Sequence, residues 1–350
     1  MPARLSRRRL LQTLGLGAVC GLAGCSSDSQ ERTATTTATG TPVGPQRTAG
    51  DLPPYADFVP DTTDAVLCTT FDLQVESGHQ VGSPPERVRD PLRYSAMSAA
   101  TVGSLLRLGV VGSGLGLPGP EFGFDPVRLG TTEIARALTV DAVGVLELPV
   151  DLSGAIADAK DGPGAVEFEA DDRALVANEA GTVAGLTTDA VVFQPPTVDA
   201  SSPDLVRDVV DTRAGARPPK HESDDAFASL LANADAAGSV ACGYAPETTL
   251  GALQSETASS SPVSVPTGEF GAATGAVVQI DLDNGTPPQP GSAVMRFPDD
   301  AGLDLAAATE SVGSAAADRS AAIDGGTVRV TGTYSWDALS EFEGSPLEAL

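Results

Sequence analysis

Lysine is almost missing from this chain. Lys160 and Lys220 are its two lysines, and arginine supplies the rest of its 21 cationic residues. Against them stand 47 Asp and Glu, a formal net charge of −26. So acidic a molecule repels a polyanion, which excludes nucleic acid as a partner. Aromatics make up 4% of the residues, with one Trp and four Tyr. A sugar cleft lined with stacked rings is therefore short of material. Histidine is limited to His79 and His221, both in polar stretches that read as solvated. A metal centre needs several ligands at defined spacing. Neither a Cys-x-x-Cys nor a His-x-x-x-His occurs, so no metal and no cofactor is expected. Gly-x-Ser-x-Gly, Ser-x-x-Lys and the phosphate-loop pattern are absent too, and no catalytic residue can be assigned.

Long apolar runs are also lacking. A membrane-spanning helix needs about 20 consecutive apolar residues. The run from Leu10 to Gly24 is shorter and carries Gly15, Gly17, Gly21 and Gly24, each of which weakens a helix. A basic segment followed by a short apolar one is what an export signal requires. Ser6-Arg7-Arg8-Arg9-Leu10-Leu11 resembles the twin-arginine export motif, with Arg7 and Arg8 as the pair read by a receptor. Leu22-Ala23-Gly24-Cys25 resembles a lipobox, whose cysteine takes a lipid and becomes the mature N-terminus. The resemblance implies a signal peptide over 1–24, a membrane lipid attached through Cys25, and a place on the outer face of a cell membrane. Stable anchoring then needs two acyl chains, since one binds marginally.

Residues 1–24 hold four of the arginines and no acid, which leaves 17 cationic residues against 47 acidic ones in the remainder. At low salt this charge opposes compaction, whereas at 1 M the Debye length falls to ~3 Å and the repulsion is screened. Abundant carboxylates with scarce lysine resemble the proteins of extremely halophilic archaea. A hydrophobic content of 41% and clear periodic segments separate the chain from an acidic disordered one.

Residues 25–55 open with the lipidated cysteine and continue as a Ser/Thr/Gly-rich stretch, flexible by composition. Large apolar residues return at Tyr55-Ala56-Asp57-Phe58-Val59, and the folded part begins there. Two cysteines remain in it, Cys68 and Cys242, each within an apolar strand-like run. An extracellular address permits a disulfide between them, while folding in a reducing cytosol opposes one. Two small buried hydrophobes and a bridge both remain open readings.

Period-2 and period-3.6 patterns set out the elements. Strands are expected at 64–73, 133–140, 142–150 and within 164–193, with helices at 93–108 and 152–160. Ser202-Pro203-Asp204 supplies a cap, a first-turn proline and an acid at the positive dipole end of a helix that Gly215 stops. Ser223-Asp224-Asp225 starts another, with Phe227, Leu230, Leu231 and Ala234 on one face and Gly238 as its stop. The last third reads as strand 238–245, helix 247–255, strands 272–283 and 291–298, helix 302–318 and strand 326–335.

The first half and the last third thus repeat one order, βαββαβ, with Cys68 and Cys242 at equivalent places. That order predicts an α+β protein of two ferredoxin-like units with mostly antiparallel sheets, one over 56–235 and one over 236–350. If the units meet about a pseudo-twofold axis, the cysteines approach each other. Gly114-Leu115-Gly116-Leu117-Pro118-Gly119 matches a dinucleotide fingerprint in letters alone, because Pro118 and Pro120 remove amide donors and no strand precedes it. Asp281-Leu282-Asp283-Asn284-Gly285 suits a hairpin turn better than a calcium loop. Asn284 also begins an N-glycosylation sequon, with Pro287 directly behind it.

The expected function is a lipid-anchored surface module that binds an unidentified protein or small molecule without catalysis. The alternative with the same anchor is the substrate-binding component of an importer. A hydrolase built on His79 or His221 is a third reading. The composition makes one prediction directly. Lowering KCl from ~3 M to ~0.1 M removes the screening, and far-UV circular dichroism should show cooperative loss of structure. Persistence of the folded signal in dilute buffer would contradict the halophilic reading.

Overall fold

The computed structural model describes residues 52–72, 90–92, 134–141, 143–161, 170–177, 183–193, 203–233, 238–252, 271–281, 288–298, 303–335 and 338. A 3-10 turn at Pro54–Phe58 leads into strand β1 (Val66–Asp72), then β2 (Arg136–Val140) and β3 (Val143–Glu147). Helix α1 (Ser153–Asp161) precedes β4 (Arg173–Ala177), β5 (Val183–Thr187) and β6 (Ala190–Phe193). Helices α2 (Pro203–Arg213), α3 (Lys220–Ser223) and α4 (Asp225–Leu231) follow. The last part holds β7 (Ser239–Tyr244), β8 (Gly275–Ile280), β9 (Gln289–Arg296), a short α5 (Leu305–Ala308), β10 (Ala317–Asp324) and β11 (Thr327–Tyr334).

These strands form one 11-stranded sheet in the order β10-β11-β9-β8-β7-β1-β2-β3-β6-β5-β4, antiparallel at every pairing. This overturns the expectation of two ferredoxin-like units. A split βαβ unit keeps its first two strands parallel with another strand between them. Here β1 pairs directly with β2 in antiparallel register, Cys68 opposite Val140. The two halves also share their first strands: β1 pairs with β7, and Cys68 lies opposite Cys242. Outward from that seam the arms correspond, β2-β3-β6-β5 on one side and β8-β9-β11-β10 on the other. The cysteine pair lies at the join between the two arms.

Several local expectations hold. β2 and β3 meet at Asp141, α2 spans Pro203–Arg213, and Asp224 caps α4 by accepting from the amides of Ala226 and Phe227 at 3.0 Å. Gly215 takes a φ of +73°, the left-handed conformation that ends a helix at low cost in glycine. Gly238 also has a positive φ, +79°, but it is not the expected stop of α4, which ends at Leu231 with Ala232 as its C-cap. The expected helix at 302–318 does not hold. Leu305–Ala308 is helical, but Ala317–Asp324 is the edge strand β10. The expected helix at 93–108 and the glycine stretch Gly114–Gly119 lie outside the described residues. So do residues 1–51 and Asn284; β8 and β9, on either side of Asn284, pair antiparallel as a hairpin requires.

Strand alternation sends side chains to two faces. One face buries Val66, Cys68, Val140, Val145, Val192, Val240, Cys242 and Val277 under α2, α4 and the 3-10 turn. On the opposite face, α1 covers Ala174, Val176, Ala184 and Leu186 on one flank. The other flank holds Ala276, Val278, Ala293, Met295, Val328 and Val330. Buried Asp90 closes this flank. Its carboxylate accepts from the backbone N–H groups of Leu92, Gly313 and Ala315 at 2.9–3.1 Å and from the Tyr334 hydroxyl at 2.9 Å. Burial still pushes its pKa above the ordinary carboxylate value, against the lowering effect of those four donors. β10 is exposed along nearly its whole length. A register shift between Ala317 and Ser320 and the positive φ of Asp318 kink it. Bulges and charges of this kind discourage edge-to-edge association.

Helix α2 lies so close to β5 that Gly185 is the only size that fits there. A Cβ on it would sit 2.3 Å from Val210 Cγ2 and 3.1 Å from Leu175 Cδ2. Gly185→Ala should destabilise the fold by about 1–3 kcal/mol through overpacking, read as a lower denaturant midpoint with an unchanged slope. An unchanged midpoint would show that α2 does not pack on β5 this tightly.

Candidate functional site

Charged side chains gather on the helix-covered face, where the chain enters the sheet. Tyr55, Ala56, Phe58 and Val59 are buried there, although a Ser/Thr/Gly-rich sequence precedes them. The backbone of this entry segment is tied down by an isolated bridge between Pro60 and Pro219 and by the Lys220 amide donating to Val59 O at 2.8 Å.

Arg213, at the C-terminal end of α2, is one centre of the cluster. Its guanidinium lies 3.5 Å from Asp57 and 3.7 Å from Glu147, and it donates to Asp189. Its Cζ lies 4.7 Å from the centre of the Phe58 ring, a cation–π distance. Burial works against its charge, but Asp189, Glu147 and Asp57 together hold its pKa above the ordinary value. Glu147 also accepts from Arg136 at 3.0 Å, and Arg136 lies 5.8 Å from the Tyr55 ring centre.

Lys220 is the second centre, 6% exposed. Its ammonium donates to Thr63 O at 2.7 Å and lies 3.8 Å from Asp224 and 5.7 Å from the Tyr244 ring centre. The Tyr244 hydroxyl donates to Asp224 at 3.0 Å. Burial, then the hydrogen bond to Asp224, pushes the Tyr244 pKa up, so the phenol stays protonated. Asp141, on the turn between β2 and β3, has a φ of +50°. Its amide donates to Leu67 O at 2.7 Å and its carboxylate accepts from Leu67 N at 2.8 Å. Burial raises its pKa to about 6, opposed by the Leu67 hydrogen bond and by the charge of Lys220.

The cysteines sit at the centre of the same face, both as free thiols. Burial, with a contribution from Asp141, pushes Cys68 up to about 12, and burial with the neighbouring Cys68 raises Cys242 well above the ordinary value. Neither is a thiolate nucleophile at neutral pH. His221 is not solvated as its sequence context suggested. Its side chain is 14% exposed, its Nε2 lies 3.8 Å from Asp57, and its Nδ1 is buried without a hydrogen-bond partner. The 3-10 turn that packs against α3 covers it, which local polarity could not reveal. Among the described residues no hydrogen bond joins His221 to a serine or threonine hydroxyl, and no group of three His, Cys, Asp or Glu could hold a metal ion. Arg7, Arg8, Cys25, His79 and Asn284 lie outside the described residues.

Sequence reasoning missed Asp57, Asp141, Arg213 and Lys220. A signal was present for the last: in a chain with two lysines, one that arginine has not replaced marks a place for a compact ammonium. The cluster's cations are already occupied by the protein's own acceptors. As built, it binds the chain's own entry segment, residues 54–63, onto the sheet.

No protein-family model matches the chain, and no curated protein matches it. Among solved structures it is similar to TP0453, in the structure titled crystal form I of that protein, at 7% identity. The match covers 83% of this chain and 96% of that chain with a TM-score of 0.36, a likeness too slight to carry an argument. Among the described residues no helix is long and apolar enough to cross a membrane.

The raised pKa of Asp141 has a definite sign. A carboxyl whose folded pKa lies above its unfolded value stabilises the fold below about pH 4, and that contribution is lost as the pH rises through about 6. Asp141→Asn keeps the acceptor for Leu67 N and tolerates the positive φ. It should raise stability at neutral pH by up to about 3 kcal/mol and leave stability near pH 4 almost unchanged. Denaturant midpoints at the two pH values check this; a loss of stability at neutral pH would reverse the assignment.

Proposed function

We propose that this protein is a lipid-anchored lipoprotein of the cell surface in a halophilic archaeon, acting as a non-enzymatic binding or envelope-associated module. The single observation that carries the reading is the succession Ser6-Arg7-Arg8-Arg9-Leu10-Leu11 and Leu22-Ala23-Gly24-Cys25 at the spacing of an export signal and its lipidation site. Two structural features support it. The sequence changes from polar tether to buried residues at Tyr55, and the entry segment is fastened there by the Arg213 and Lys220 clusters. A body tethered to a surface by its N-terminal side is loaded at that point, so a secured entry suits an anchored protein.

The importer component remains the alternative with the same anchor. Such proteins close two lobes around a ligand, whereas the described halves here share one continuous sheet. That arrangement favours the first reading.

The test is made in a salt-requiring archaeal host. Mass spectrometry of the full-length protein should find a mature N-terminus at Cys25 carrying lipid. Cys25→Ser should release the protein from the membrane fraction, and Arg7→Lys with Arg8→Lys should hold the precursor inside the cell. An unmodified Cys25 in membrane-associated protein would overturn the anchor. A thermal-shift screen of amino acids, sugars and ions in concentrated KCl separates the two readings, because a specific ligand stabilises the fold by mass action. Saturable stabilisation by one small solute would favour the importer component.

A further inference from the structure

We propose that Cys68 and Cys242 form a cross-strand disulfide site that locks the seam between the two halves when the chain folds in the presence of an oxidant. The inference rests on register. Of the residues paired along β1 and β7, Cys68 and Cys242 stand directly opposite each other. Their side chains therefore leave the sheet on the same face, and both enter the same buried cluster. Opposed residues of an antiparallel ladder have Cα atoms about 4.5–5.5 Å apart. That interval lies inside the range a disulfide spans, about 4.4–6.8 Å. The Cα spacing of such a pair is thus compatible with the bond.

The surroundings make the state of the pair depend on when the oxidant arrives. Cys68 and Cys242 are 3% and 1% exposed, below a layer that includes Tyr55, Phe58 and Phe227. Disulfide exchange requires a thiolate to reach an external disulfide. In the folded protein both thiols are held protonated by burial and no oxidant reaches them. During folding, before β1 and β7 close, both are exposed. The reaction with oxidised glutathione balances simply. One cysteine thiolate attacks the glutathione disulfide, releases one glutathione and forms a mixed disulfide. The second cysteine then displaces the other glutathione. The protein loses two electrons and two protons, and two molecules of reduced glutathione result. A chain that folds under reducing conditions keeps the dithiol, and one that folds under oxidising conditions carries the bond. The redox state of this pair thus records where folding took place.

The experiment uses the full-length protein, in concentrated KCl throughout. One sample is denatured, reduced and refolded in a mixture of reduced and oxidised glutathione. A second sample, already folded and reduced, is placed in the same mixture. Both are quenched with acid, denatured, alkylated and digested without reduction. In the refolded sample the Cys68 and Cys242 peptides should appear linked to each other, and the denaturant midpoint should rise relative to the reduced protein. In the folded sample both should be recovered alkylated over times shorter than global unfolding. Recovery of both as alkylated peptides after oxidative refolding, or their linkage to Cys20 or Cys25 instead, would overturn the site. Rapid oxidation of the folded sample would overturn the dependence on folding. Cys242→Ala should abolish both the linked peptide and the oxidant-dependent midpoint rise; a rise that survives in it would show that another bond is responsible. Should that variant fail to fold, the peptide map of the unsubstituted protein decides alone.

Discussion

The pairing of β1 with β7 connects everything else in the sheet. Five strands extend from one side of it and four from the other, and neither arm contacts the other through the ladder except across this seam. Each residue from Val66 to Phe71 has an opposed partner from Tyr244 to Ser239. The seam is apolar on its helix-covered face, where Val66, Cys68, Val240 and Cys242 meet the underside of the 3-10 turn and α4. Small side chains there let the covering layer come down close: Phe227 of α4 reaches Tyr244 of β7, with ring centres 5.3 Å apart. The same layer holds the entry segment, so fastening that segment and closing the sheet are parts of one packing problem.

Cations are scarce in this molecule, and their placement follows from that scarcity. Arg173 bonds Asp211 at 2.9 Å, Arg217 bonds Asp208 at 3.0 Å, and Arg213 reaches Asp189, Glu147 and Asp57. All these contacts fasten α2 to its neighbours at the border of the apolar core. Ion pairs of this sort add little net stability over a hydrophobic replacement. They fix which face of the helix meets the sheet and at what register. Concentrated salt screens exposed pairs strongly and partly buried pairs much less. Partly buried positions are therefore where a cation keeps most of its pairing at high ionic strength, and the Arg213 side chain, 17% exposed, is in one.

The elements were legible in the sequence wherever a half-buried pattern or a cap wrote them. Asp224 and the Phe227, Leu230, Leu231 stripe marked α4, and alternation marked β8, β9 and β11. Alternation failed at β10 for a physical reason: an edge strand exposed on both faces has no buried set to repeat, and its alanines favour a helix by propensity. The strand order was not legible, because patterns of burial do not say which neighbour a strand takes. The βαββαβ succession fits a split unit and a meander equally well, and β1 chose β2. The candidate site was the least visible part. Asp141 read as a chain break and His221 as loop polarity, since what makes each unusual is burial by segments distant in sequence. The two cysteines were visible as members of two similar apolar strand-like runs, and the structure sets them opposite each other.

That pairing carries a consequence for folding. Local hairpins such as β2–β3 and β10–β11 can form from neighbouring sequence, but β1 must find β7 after a long intervening stretch has been synthesised. Contacts between distant residues cost loop-closure entropy before they return any stability, and they slow folding. Until the seam closes, β1 and β7 each expose an unpaired edge and an apolar face, the condition under which chains associate wrongly. High net negative charge opposes such association, and concentrated salt allows the final closure by screening the same charge. The acidic surface and the late-closing seam are therefore compatible in brine in a way they would not be in dilute buffer. Once the seam is closed, the described sheet leaves two edges, β4 and β10, and the second is kinked by its register shift and by the positive φ of Asp318.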